Sequence, residues 1–138
     1  MKNIYVLDAC ALITLTNKEK GADIIVNIFN QVNNGNAQVI MNRINLYEVY
    51  YGFYREHGKE YALNVIENVE RSPILITEFD KKIFIETGRL KALYKISLAD
   101  SIVLAQAIIS NGFILTSDHH EFDCIEGKEN LNFIWTRY

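Results

Sequence analysis

The sequence predicts an α/β fold of three layers, with helices on both faces of a short-stranded, mostly parallel central sheet of about five strands. Apolar runs of three or four residues alternate along the chain with longer amphipathic segments. Runs with so few polar interruptions are typical of strands buried on both faces of a parallel sheet. The 138 residues contain no internal repeat and no linker-like stretch, so we expect a single domain over residues 1–138.

The strand and helix candidates follow one another in an order that indicates βαβ units. The strand candidates are Ile4–Leu7, Val39–Met41, Ile74–Ile76, Phe113–Leu115 and Phe133–Trp135. The helix candidates are Ala9–Leu15, Gly21–Asn33, Ile44–His57, Glu60–Arg71, Glu78–Tyr94 and Leu98–Ser110.

Local signals support the ends of several of these elements. Asp8 follows the first strand and can cap the helix after it. The turn signal at residues 33–36 ends the second helix, and Ser97 with Asp100 resembles a capping box at the start of the last one. Residues 99–109 are apolar around most of the helical wheel, which predicts a helix buried on more than one side.

Composition and charge narrow the class of protein. Hydrophobic residues make up 49% of the chain and charged residues 22%, as in ordinary globular proteins. The formal net charge is -3, so bulk charge would not attract a nucleic acid, and local positive charge or a bound metal would have to do so. The two cysteines, Cys10 and Cys124, suit a reducing cytoplasm, and we expect both to be small buried apolar residues. No apolar run is long enough for a membrane span.

Four acidic residues fall where the predicted fold would gather them. Asp8 follows the first strand, Asp118 follows the fourth, Glu48 lies near the start of the third helix, and Asp100 lies in the first turn of the buried helix. Each alone is explained as a helix cap or as a charge that favours a helix N-terminus. Several buried carboxylates together are costly unless a cation shares the site, and oxygen ligands favour Mg²⁺ or Mn²⁺.

Each of these acids lies in a segment that matches a motif of one known family, in the same order and at similar spacing. The segments are Val6–Ile13, Asn45–Gly52, Leu98–Ala105 and Leu115–Asp118, the last followed by Phe122-Asp123. On these residues the chain resembles the PIN domain, the nuclease fold of VapC-type toxins from bacteria and archaea. Cys10 departs from the pattern, because the family often has Ser or Thr there, and a thiol is the weaker hydrogen-bonding group.

The resemblance implies a Mg²⁺- or Mn²⁺-dependent ribonuclease that hydrolyses RNA phosphodiester bonds as the toxin of a toxin–antitoxin pair. It implies that Asp8 and Asp100 are direct metal ligands, that Glu48 and Asp118 bind metal directly or through water, and that all four are catalytic. It also implies an RNA substrate, a cognate antitoxin, a homodimer and a cytoplasmic location without membrane contact.

Two further groups of residues have both a functional and a structural interpretation. Four basic residues could contact RNA phosphates: Arg43, which lies near the predicted site, and Arg89, Lys91 and Lys95, which could instead belong to a solvated helix face. Four tyrosines could line the antitoxin groove or could pack as core under the next helix: Tyr47, Tyr50, Tyr51 and Tyr54.

Other functions remain open on the sequence alone. A phosphatase of the haloacid-dehalogenase type would need a second Asp where Cys10 stands, and a receiver domain would need an Asp where Thr77 ends its strand. A non-catalytic PIN-like module that binds RNA or a partner is the main alternative, together with a PIN nuclease of RNA processing that is not a toxin.

Overall fold

A computed structural model describes residues 2–117, 122–123 and 125–136 of the chain. Within these residues, five strands form one sheet in the order β3-β2-β1-β4-β5, and every strand pairing is parallel. The strands are β1 (Asn3–Leu7), β2 (Ala37–Asn42), β3 (Leu75–Thr77), β4 (Phe113–Thr116) and β5 (Asn132–Trp135).

Six helices of the described chain connect and cover these strands. They are α1 (Ala9–Thr16), α2 (Ala22–Asn33), α3 (Arg43–His57), α4 (Lys59–Arg71), α5 (Lys81–Leu93) and α6 (Leu98–Ser110). The predicted α/β class and the central parallel sheet are therefore confirmed. Among the described residues, the helices are too short or too polar to cross a membrane.

The sheet separates two apolar cores, because successive side chains of a strand point to opposite faces. Tyr5 and Leu7 of β1 face the core formed with α1 to α4. Val6, between them, faces the core formed with α5 and α6. Strand β2 divides in the same way, with Val39 and Met41 in the first core and Ile40 in the second. Helices on both faces make the three-layer arrangement that the sequence predicts.

The helix predicted over Glu78–Tyr94 begins later than expected. Asp80 has extended backbone angles and its carboxylate accepts a hydrogen bond from the Ile83 amide at 3.0 Å, so it is the N-cap of α5. An N-cap residue stands outside the helical geometry, and the helix therefore starts at Lys81. This leaves Glu78 in the connection that follows β3, where its main chain and side chain contact the start of α3.

The strand order reverses at β1, which pairs with β2 on one side and with β4 on the other. A reversal of this kind opens a crevice beyond the carboxyl ends of the two central strands, where open α/β sheets bind their ligands. Helix α3 begins directly after β2, so its first turn lies at this edge. Helix α6 leads into the amino end of β4, so its first turn lies at the same edge.

Candidate active site

Asp8 stands at the carboxyl end of β1, at the point where the strand order reverses. It is 3% exposed, and its Oδ1 accepts a hydrogen bond from the Ala11 amide at 2.7 Å as the N-cap of α1. Its Oδ2 accepts a hydrogen bond from the Thr116 hydroxyl at the end of β4. One carboxylate therefore caps α1, as the sequence predicts, and also contacts the end of β4 at the edge of the sheet where its site role is expected.

The start of α3 places Glu48 near the same edge. Asn42, the last residue of β2, caps the helix by accepting a hydrogen bond from the Ile44 amide at 3.0 Å. Glu48 lies in the second turn and is partly buried. Asn45, one turn before Glu48, is 2% exposed and donates a hydrogen bond from Nδ2 to the Ala99 carbonyl at 3.0 Å. This bond ties the first turn of α3 to the first turn of α6.

The start of α6 places Asp100 beside this connection. Ser97 caps the helix, and its hydroxyl accepts a hydrogen bond from the Asp100 amide at 3.1 Å. The capping box predicted at this position is thus confirmed for Ser97. Asp100 directly follows Ala99 and is partly buried. The carbonyl that Asn45 holds therefore belongs to the residue next to Asp100.

Near this edge lies a network of hydrogen-bonded polar side chains that the sequence did not lead us to predict. Gln106 of α6 is 7% exposed, and its Oε1 accepts hydrogen bonds from the Thr77 hydroxyl at 2.8 Å and from Asn42 Nδ2 at 3.4 Å. Asn42 Nδ2 also donates to the Glu78 carbonyl at 3.2 Å. Gln106 stands alone in the apolar stretch Ile102–Ile109, and this could have indicated the network, because a buried amide needs hydrogen-bond partners.

The donors at this edge suit a hard divalent cation. The three described acids, Asp8, Glu48 and Asp100, offer carboxylate oxygens. Oxygen donors without thiolate or imidazole match Mg²⁺ or Mn²⁺. Over residues 2–117, 122–123 and 125–136, however, no three Asp, Glu, His or Cys side chains lie close enough together to hold one ion. Asp118, the fourth predicted ligand, is outside the described residues.

Three of the four basic residues predicted to contact substrate have protein partners. Arg43, the first residue of α3, makes a two-pronged ion pair with Glu78, with its Nη2 at 2.7 Å and its Nε at 2.8 Å from the carboxylate. This contact raises the pKa of Arg43 and lowers the pKa of Glu78. The Lys91 ammonium donates to the Ile96 carbonyl at 2.6 Å. Lys95 is exposed.

Arg89 belongs to an ionic cluster away from the strand ends. Its guanidinium lies 2.9 Å from a Glu86 oxygen and 2.6 Å from a Glu129 oxygen. Both contacts raise the pKa of Arg89, and the contact with Glu86 has the larger effect. Glu129 also accepts a hydrogen bond from the Tyr94 hydroxyl. Hydrogen bonds from Arg89, which has the larger effect, and from Tyr94 hold the pKa of Glu129 below its usual range. The same contact with Glu129 raises the pKa of Tyr94. The cluster fastens the segment before β5 to α5.

The four tyrosines of α3 differ in how far they are exposed. Tyr47 and Tyr54 are 61% and 46% exposed, whereas Tyr50 and Tyr51 are half-buried. Tyr47 packs edge-on against Tyr51, and Tyr50 packs edge-on against Tyr54. A groove of about 190 Å³ runs between α3 and α4, lined by Arg43, Leu46, Tyr47, Tyr50, Leu63 and Ile66.

The expectation that Cys10 is buried is wrong. Cys10 is exposed in the first turn of α1, because Ala9, Ala11 and Leu12 take the positions that face the core. Cys124, like Asp118, lies outside the described residues.

The all-parallel sheet with its reversal of strand order places this chain among the open α/β proteins. Proteins of this class bind ligands beyond the carboxyl ends of the strands, where the strand order reverses. Within that class, the model of the PIN domain family matches residues 5–128, and the chain belongs to this family. The resemblance seen in the four motifs is thereby confirmed. The PIN domain is a nuclease fold whose members generally use divalent metal ions.

Solved structures with the same fold cover nearly the whole chain. A chain of VapBC2 from Rickettsia felis, bound to a promoter DNA fragment, is 21% identical with a TM-score of 0.76, over 95% of this chain and 97% of that one. A chain of DNA-bound VapBC from Salmonella typhimurium is 20% identical with a TM-score of 0.75, over 99% of both chains. VapC20 from Mycobacterium tuberculosis, a toxin that cleaves the sarcin–ricin loop, is 10% identical with a TM-score of 0.67, over 87% of this chain and 94% of that one. A search of curated proteins found no match.

Proposed function

We propose that this protein is a metal-dependent ribonuclease and the toxin of a toxin–antitoxin pair. The observation that carries the proposal is the pair of tertiary hydrogen bonds at the carboxyl edge of the sheet. Asp8 is joined to Thr116 across the reversal of strand order, and Asn45 joins the helix of Glu48 to the helix of Asp100. These two bonds support a site in which acids from three separate segments of a PIN domain face the carboxyl edge of the sheet.

In this proposal Asp8 and Asp100 are direct ligands of Mg²⁺ or Mn²⁺, and Glu48 and Asp118 bind it directly or through water. The ion would offset the repulsion among the carboxylates and shield the charge that develops on the phosphate. Asp8 is held ready for this role by its two protein donors. Glu48 or Asp118 would take the proton from the attacking water.

RNA is the proposed substrate, and we place the activity in the cytoplasm. VapC20, which shares the fold, is a toxin that cleaves an RNA loop. With a net charge of -3, this chain must bind a polyanion through local positive charge and the metal. Among the predicted phosphate contacts, Lys95 is exposed three residues before the start of α6, and Arg43 stands at the start of α3 paired with Glu78. RNA phosphate would have to compete with Glu78 for Arg43.

We further propose a cognate antitoxin as the protein partner and a homodimer as the assembly. Several solved structures with this fold are toxin–antitoxin complexes. The α3–α4 groove has the apolar floor and the tyrosine rim that suit a peptide or helix of a partner. Tyr47, at 61% exposure, offers the largest uncovered ring of that rim.

The change Asp8→Asn tests the nuclease proposal. Removing the charge of a metal ligand should lower RNA cleavage in Mg²⁺ by at least about 100-fold, because even residues one shell further out cost about 10- to 100-fold. The asparagine keeps a carbonyl oxygen that can accept from the Ala11 amide, so the far-UV spectrum should not change. Cleavage is measured on total cellular RNA with Mg²⁺ and with EDTA.

Asp23→Asn provides the matched control, because Asp23 is an exposed acid in the first turn of α2 and should leave cleavage unchanged. Wild-type cleavage that persists in EDTA would refute the metal dependence. An Asp8→Asn variant with the wild-type rate would refute the site. A wild-type protein that binds RNA without cleaving it would favour the non-catalytic PIN module instead.

A further inference from the structure

We infer that Asn45 is a positioning residue of the metal site, which fixes Glu48 and Asp100 relative to one another. The inference rests on the proposed function and adds to it a residue outside the four acids. Asn45 is 2% exposed and lies one turn before Glu48 on the same side of α3. Its Nδ2 donates to the carbonyl of Ala99, the residue that precedes Asp100. A single side chain therefore links the two acid-bearing helices, one turn before Glu48 and one residue before Asp100.

Neither helix needs Asn45 for its own start. Helix α3 is capped by Asn42, whose Oδ1 accepts from the Ile44 amide. Helix α6 is capped by Ser97, whose hydroxyl accepts from the Asp100 amide. The bond from Asn45 to Ala99 is made in addition to both caps and joins residues 54 positions apart in the sequence. The bond therefore affects the position of α3 relative to α6 and is not needed for either helix to begin.

The other end of the Asn45 amide argues against a purely stabilising role. Its Oδ1 is buried and accepts no hydrogen bond from the described residues. A buried acceptor without a donor costs free energy that an apolar side chain of similar shape would not incur. Leucine would therefore pack at this position at little cost or with a gain in stability. What leucine cannot do is hold the Ala99 carbonyl, which is the function we assign to Asn45.

The test compares Mn²⁺ binding by calorimetry with thermal unfolding in EDTA, using Asn45→Leu and Asn45→Gln. Asn45→Leu should keep the wild-type melting temperature and lower Mn²⁺ affinity by about 10- to 100-fold, as loss of a group that orients a ligand does. Asn45→Gln keeps the amide donor and should recover part of that affinity. RNA cleavage at subsaturating Mn²⁺ should fall in parallel and recover when Mn²⁺ is raised.

Thr87→Val is the matched control, because Thr87 on α5 is 3% exposed and its hydroxyl also has no partner among the described residues. Removing that hydroxyl should leave Mn²⁺ affinity unchanged. If Asn45→Leu does not fold, Asn45→Ser is the second variant, since its side chain is one atom too short to keep the bond to Ala99.

The possible failures are distinguishable. If wild-type protein binds Mn²⁺ in a manner that Asp8→Asn abolishes, and a folded Asn45 variant binds it as tightly as wild type, the positioning role is refuted and the nuclease proposal stands. The same conclusion follows if Thr87→Val weakens Mn²⁺ binding as much as Asn45→Leu. If wild-type protein shows no carboxylate-dependent Mn²⁺ binding, the proposed function fails and the inference fails with it.

Discussion

Asp8 uses both oxygens of its carboxylate in contacts with the protein. Capping α1 uses one carboxylate oxygen, and the contact with Thr116 uses the other. Both oxygens of this side chain, which is 3% exposed, therefore have protein donors. These two contacts hold the Asp8 carboxylate in place at the carboxyl end of β1, where the proposed metal site lies.

The contribution of Thr116 can be measured with Thr116→Val. This change removes a hydroxyl donor from the buried Asp8 carboxylate while the shape of the side chain is kept. We expect unfolding free energy to fall by about 1–3 kcal/mol, because the loss of one partner from a buried charged group is costly. Chemical denaturation at pH 7 measures the change.

Thr136→Val is the control for that experiment. Thr136 is 4% exposed, and its hydroxyl has no hydrogen-bond partner within the described chain. Its replacement should be neutral or stabilising, since nothing loses a partner. Equal destabilisation by the two changes would mean that the Asp8 contact contributes nothing beyond the packing of a threonine.

Residue-scale features differ in how far the sequence could predict them. The cap made by Asp8 follows from its place between an apolar run and a helix, because the hydrogen bond spans three residues. The bond to Thr116 spans 108 residues, so it exists only once β1 and β4 are paired. The burial predicted for Cys10 was wrong. Cysteines in general tend to be buried, but this tendency does not tell which side of α1 faces the core.

At the scale of elements, helix starts determine where the functional side chains stand. Asn42, Asp80 and Ser97 each cap a helix at the carboxyl side of the sheet. The sequence predicted the start at Ser97 because its capping pattern is local. It placed the start of α5 too early, because Glu78 continues the helical pattern and only the geometry of Asp80 excludes it. The hydrogen-bond partners of Gln106 could not be predicted, since they come from β2 and β3.

The cluster of Arg89, Tyr94 and Glu129 gives α5 a pH-dependent attachment to the segment before β5. The pKa of Glu129 is lowered in the folded protein, chiefly by Arg89. A carboxylate with a lowered folded pKa stabilises the protein above its unfolded value of 4.5, and this contribution is lost as pH falls through the folded pKa. We expect Glu129→Gln to lower stability at pH 7 and to make the acid-induced loss shallower.

Urea unfolding at pH 7 and at about pH 3.5 measures this effect. Glu126→Gln, an exposed acid in the same segment, is the control and should keep the wild-type pH dependence. If Glu129→Gln and wild type lose stability by the same amount between the two pH values, the cluster does not contribute to acid sensitivity.

At the scale of the whole molecule, the parallel order β3-β2-β1-β4-β5 determines where chemistry can occur. The reversal at β1 brings Asp8 beside Thr116, and the crossovers bring the starts of α3 and α6 to the same edge. The alternation of strands and helices predicts only that acids following the strands gather at the carboxyl edge of a parallel sheet, where such sheets bind ligands. Which side chains approach one another there depends on tertiary packing and could not be predicted.

If the proposed site binds a metal ion, its construction from distant segments should make the stability of the fold depend on that ion. Metal that binds only the folded chain should stabilise it by about 2.7 kcal/mol at a concentration of 100 times its dissociation constant. For a chain of 138 residues this is a rise in melting temperature of roughly 5–15 °C, reversed by EDTA. Asp8→Asn should remove most of the rise, and Asp23→Asn should keep it. Differential scanning calorimetry with and without Mn²⁺ decides the matter, because an ion bound at random surface acids would shift the melting temperature of both variants equally.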